Sequence, residues 1–73
     1  MTKRIEKFLW LSKEKKVISC DETNKVLNEN YSEIKNTLQN SFDDAVLIGC
    51  DEKDFKKKIK DLIENLNFSL GKK

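Results

Sequence analysis

Two glycines, the only ones in the chain, bracket its clearest helical signal. Between Gly49 and Gly71, the residues Phe55, Ile59, Leu62, Ile63, Leu66 and Leu70 recur at three- and four-residue steps. At about 100° per residue, all six fall within a sector of roughly 100°, the apolar stripe of a core-facing helix. Asp51 and Asp54 mark its start: a short carboxylate for orphan N–H groups, then an acid in the positive first turn. The spacing predicts a helix over 52–68, with Gly49 as the left-handed residue that closes whatever helix comes before it.

The 73 residues form one expected domain, 1–73. A chain of this size buries only about 60% of the surface its unfolded form exposes, so its core is thin. Of all residues 38% are charged and 37% hydrophobic, so apolar side chains must be placed efficiently or shared with a partner. The absence of proline disfavours a loop-rich fold and fits helices joined by short turns. The expected fold is all-α, a compact bundle of three to four short helices.

A first helix is expected over 3–17, with Thr2 as N-cap and Ile5, Phe8, Leu9 and Ser12 on one face. Trp10 and Leu11 do not join that face. They broaden the apolar surface past half the circumference, which makes Phe8, Trp10 and Leu11 the candidate partner interface. Tryptophan suits such a role because one rigid side chain removes a large apolar area from water. An internal position in the core is the other reading of Trp10.

Ser19 and Glu22 form a capping-box pair that opens the next helix, which carries Leu27, Tyr31, Ile34 and Leu38 on one face. Asn24, Asn28, Asn30, Asn36 and Asn40 lie mostly off that stripe and are middling helix formers. The stripe continues in phase through Phe42 and Ala45, so one helix over 20–48 competes with a break at Asn40. Ser41 and Asp44 repeat the capping pattern, and the reading adopted is a separate short helix over 42–48.

Charge is laid out unevenly along the chain, whose net charge is +2. Residues 1–16 carry six basic and two acidic side chains, 17–55 three and nine, and 56–73 six and two. This basic–acidic–basic order suits ends that pack near an acidic middle, or a head-to-tail dimer. Ala45, Ile48, Gly49, Cys50 and Phe55 resemble the helix-turn-helix pattern of DNA-binding proteins, with Asp44 and Lys58 departing from it. That resemblance implies an alternative function, DNA binding through 42–60, with Lys53, Lys56, Lys57 and Lys60 as the phosphate contacts. Against it, Asp51, Glu52 and Asp54 place three carboxylates where phosphates would approach.

Nothing in the sequence commits to a chemistry. There is no histidine, so the commonest acid–base group and metal ligand is missing. Cys20 and Cys50 have no metal-ligand spacing and no histidine to act as a base, and a bridge between them rests on geometry. Asp43 and Asp44 point in two directions on a helix, and the acids from Asp51 onward lack a calcium-loop spacing. No enzyme activity, cofactor or metal is expected. The apolar run 8–11 is shorter than the roughly 7–15 residues of a secretory signal. No stretch approaches the roughly 20 residues that span a bilayer. The expectation is therefore a small cytoplasmic protein with reduced thiols. It would act as a regulator, adaptor or inhibitor by binding a protein partner, and would self-associate.

Overall fold

A computed structural model of the chain describes residues 7–70. It contains two helices, α1 (Asp21–Leu47) and α2 (Glu52–Glu64), and among the described residues the one β pairing is an isolated antiparallel bridge between Leu11 and Val17. The chain divides into two compact units, Met1–Gln39 and Asn40–Lys73, with the boundary inside α1. The helical class is as expected, but three to four helices become two. The separate helix expected over 42–48 is the end of α1. The apolar stripe stays in register across Asn40 and Ser41, and Leu38, Phe42 and Ala45 are all half-buried along it.

The largest departure is at the start. Where a helix was expected over 3–17, the described part forms a hairpin (residues 3–6 lie outside the described residues). Lys15 N–H donates to Ser12 C=O at 2.9 Å and Ser12 N–H to Lys16 C=O at 2.8 Å, while Ile18 N–H donates to Trp10 C=O at 2.7 Å. Lys15 takes the left-handed conformation, φ 68°, that a three-residue hairpin loop requires at this position. The segment before the turn, residues 8–11, runs in the manner of a strand although only Leu11 is bridged, with Phe8 and Trp10 on one side and Leu9 and Leu11 on the other.

What holds this hairpin to α1 is a pair of asparagines. Asn24 and Asn28 are each only 8% exposed, and no hydrophobic residue among those described is as buried. Asn28 accepts from Phe8 N–H at 3.0 Å and donates to Phe8 C=O at 3.1 Å, pairing with that residue as a neighbouring strand would. Its Oδ1 also accepts the Trp10 indole N–H at 2.9 Å. Asn24 accepts from Trp10 N–H at 3.2 Å and donates to Ile18 C=O at 2.7 Å, so its amide fills the gap where those two groups would otherwise meet. The same Nδ2 also reaches Cys20 C=O at 3.3 Å.

Cys20 rather than Ser19 is where the chain enters α1, its C=O accepting from Asn24 N–H at 3.1 Å. The far end of α1 closes in a Schellman motif: Cys50 N–H donates to Ala45 C=O at 2.8 Å and Gly49 N–H to Val46 C=O at 3.1 Å. Gly49 supplies the positive φ, 99°, that this closure needs. Asp51 caps α2 as expected, its Oδ2 accepting from Asp54 N–H at 2.8 Å. The helix stops at Glu64 rather than Phe68. Asn65 turns its side chain onto Asp61 C=O and Asn67 onto Asn65 C=O, so both compete with further helical bonds.

Two substitutions test this account. Asn28→Ala removes three hydrogen bonds and leaves the Phe8 and indole donors unpaired, an expected loss of about 2–3 kcal/mol in a urea titration, with Trp10 emission shifted to the red. Lys15→Gly removes the left-handed penalty on an exposed side chain, and should raise stability by about 1 kcal/mol.

Candidate protein-interaction surface

In the first unit the hairpin has two unlike faces. Phe8, Trp10 and Tyr31 form an edge-to-face cluster, with ring centroids 4.8 Å apart for Phe8–Tyr31, 5.9 Å for Phe8–Trp10 and 6.4 Å for Trp10–Tyr31. Each such pair adds about 0.5–1.5 kcal/mol beyond area burial. The opposite face is open. Leu9 is 72% exposed, Leu11 58% and Val17 57%, and the Leu11–Val17 bridge sets two of these side chains directly across from one another.

Of the three residues picked from the sequence, Phe8 and Trp10 therefore come together under the strand, while Leu11 points away from them. Trp10 is half-buried, with its indole N–H engaged by Asn28. Leu9 and Val17 share this open face and were not singled out from the sequence. The signal that could have found them is the β-branched pair Val17 and Ile18, which follows the apolar run 8–11 across a short charged turn.

The second unit offers a helical face. Phe55 and Ile59, in the first half of the α2 stripe, are half-buried, and Phe55 packs on Phe42 with centroids 5.5 Å apart. Leu62, Ile63 and Leu66 continue the stripe but are exposed, as are Leu47 and Ile48 at the end of α1. On the polar side Lys53, Lys56, Lys57 and Lys60 are all exposed, and Lys56 Nζ stands 5.4 Å from the Phe42 ring centroid. Asp51, Glu52 and Asp54 occupy the N-terminal end of α2, where the helix field would otherwise favour a phosphate.

Lys58 bonds both carboxylate oxygens of Asp54 at 2.8 Å. The hydrogen bond and charge of Lys58 hold the Asp54 carboxyl below its usual range, and the same contact holds the Lys58 ammonium above its own. Cys20 and Cys50 are both exposed and not bridged. The Thr23 hydroxyl, and after it the Thr23 backbone, lowers the Cys20 thiol pKa by hydrogen bonding at the mouth of α1. Among the described residues no helix is long and apolar enough to cross a membrane, and no cluster of three metal-ligating side chains occurs.

No protein-family model, curated protein or solved structure matches this chain. What it does must therefore be argued from its own surfaces.

The Asp54–Lys58 pair makes a pH prediction. A lowered acid contributes stability above its ordinary pKa and loses it as pH falls through the depressed value. A raised base contributes below its ordinary pKa and loses it as pH rises through the elevated one. The contribution is thus level between about pH 4 and pH 10. Thermal melts of Lys58→Met and the unaltered protein should differ across that window and converge as the pH is taken below it.

Proposed function

We propose that this chain is a small non-catalytic protein that works through protein–protein contact, in the manner of a regulator, adaptor or inhibitor, and that it self-associates. The observation that supports this reading most directly is that none of the described apolar side chains is as buried as two asparagines, Asn24 and Asn28. Burying a leucine, isoleucine, valine or phenylalanine contributes about 1.5–3 kcal/mol, and folding must offset an ordering cost of about 1–2 kcal/mol per residue. A lone copy leaves much of the available apolar contribution unused. A partner surface supplies it.

The interface is assigned to the strand that carries Phe8, Trp10 and Leu11. Leu11, with Leu9 and Val17, provides the apolar surface, and the aromatic pair beneath fixes its position. The exposed half of the α2 stripe is a second face of the same kind. A cytoplasmic setting belongs to the proposal because both cysteines are exposed and unbridged, a state that reducing compartments maintain. DNA binding through Lys53, Lys56, Lys57 and Lys60 is the weaker reading, because the acidic entrance of α2 opposes it.

Light scattering decides the matter. At about 100 µM the expected mass is at least twice the chain's 8.6 kDa, reflecting micromolar or tighter association. Leu11→Ser should weaken that association by tenfold or more while helix content, read by circular dichroism, is unchanged. A monodisperse single chain at this concentration would refute self-association.

A further inference from the structure

The first unit is polarised in charge from its hairpin to the back of its helix. Phe8 and Trp10 turn toward Tyr31 and the asparagines of α1, while Leu9, Leu11 and Val17 turn away. Around those three aliphatic side chains the hairpin carries Lys7, Lys13, Lys15 and Lys16, all exposed, against the single acid Glu14. Behind the hairpin, α1 distributes its charges by the helical period. Measured from the side that holds Asn24, Asn28 and Tyr31, the exposed acids Glu22, Glu29 and Glu33 stand about 130–175° away. Lys35 falls on the hairpin's side, Lys25 lies about 90° from it, and Asp21 is the one helix acid of this unit near the hairpin. Of the other exposed apolar residues, Val26 lies among the far acids and Ile34 on the flank, so neither joins the hairpin's outer face.

We infer that this face docks on an anionic lipid surface, with Leu9, Leu11 and Val17 entering the acyl boundary and the four lysines meeting the head groups. The inference rests on the open face assigned above and goes beyond self-association in naming another occupant for it. Charge complementarity carries it. Cations surround the aliphatic side chains, and three of the unit's four helix acids are held on the opposite side, away from the lipid. Lysine suits such a ring, because its stem lies along apolar surface while the ammonium reaches a phosphate. Acyl chains accept leucine and valine without a matching shape, so a face with no recess is enough.

The backbone limits how deep the hairpin goes. The main-chain groups of Leu9 and Leu11 have no hydrogen-bond partner among the described residues, and unpaired N–H and C=O groups are costly in hydrocarbon. The strand therefore stays at head-group level, and only its side chains reach further. Three aliphatic side chains give a small apolar contribution, and each lysine strengthens binding to a negative surface about fivefold. Neither part suffices alone, which makes the docking reversible and dependent on salt. A nucleic acid would leave the aliphatic row unused, and the rings on which its bases would stack are turned inward. Copies that share the face in water give it up to the bilayer.

Cosedimentation of the full chain with lipid vesicles is the test. Phosphatidylcholine vesicles with about 30% phosphatidylserine should retain it, and pure phosphatidylcholine at least tenfold less. Raising the salt from about 0.1 M to about 1 M, which shortens the screening length to about 3 Å, should release it. Lys13→Gln with Lys15→Gln and Lys16→Gln should weaken retention about a hundredfold, and Leu9→Ser about tenfold, with helix content by circular dichroism unchanged. Lys56→Gln with Lys57→Gln, on α2, should leave retention as it was, and an equal loss there overturns the assignment to the hairpin. Equal retention on the neutral vesicles, or none on either kind, overturns lipid docking. Retention on immobilised polyglutamate but not on anionic vesicles overturns it in favour of an acidic protein partner. Sizing without lipid separates the two readings. A single chain that binds the anionic vesicles refutes self-association and upholds the docking, and a dimer that ignores them does the reverse.

Discussion

Four residues of α-helix rise about 6.0 Å, and two residues of β-strand advance about 6.6 Å. The first unit depends on that near-equality. Asn24 and Asn28 stand one helical step apart and meet Trp10 and Phe8, one strand repeat apart, with bonds of 3.0–3.2 Å to their N–H groups. A side-chain amide carries the same donor and acceptor as a peptide group, so the helix presents a substitute strand to the hairpin. Because these amides are buried, each lost bond leaves a desolvated polar group, and the register cannot slide by one residue. Specificity here comes from polar groups, and stability must be found elsewhere.

The second unit shows the more usual logic, and the sequence displays it openly. The α2 stripe, the Asp51 cap and the left-handed Gly49 each rest on local chemistry, so each was readable from a few neighbouring residues. The stop at Asn65 was harder, because the apolar spacing runs on through Leu66 and Leu70 while the asparagine side chains withdraw the backbone from the helix. The continuity of α1 across Asn40 was harder still. Capping residues at Ser41 and Asp44 argued for a break, while the apolar stripe that stays in register through Leu38, Phe42 and Ala45 favours one continuous helix.

The hairpin was hidden for three physical reasons. Four consecutive apolar residues, 8–11, satisfy a helical period as readily as a strand period. The left-handed position of the turn holds Lys15, where glycine or asparagine would have announced it. The asparagines that hold the strand looked, on a helical wheel, like polar positions off the apolar stripe. Their role depends on a segment 14 and 20 residues away in sequence, and no local window contains it. The apolar surface of 8–11 was visible from composition alone. Its division into a cemented side and a bare side was not.

Asn24 and Asn28 grip main-chain atoms, with the Trp10 indole as the one exception. Main-chain atoms are the same whatever residue carries them. Positions 9, 11 and 17 can therefore exchange one side chain for another while the scaffold beneath keeps its geometry. A lineage could change the character of this outward face by editing three positions, and its architecture would not register the change.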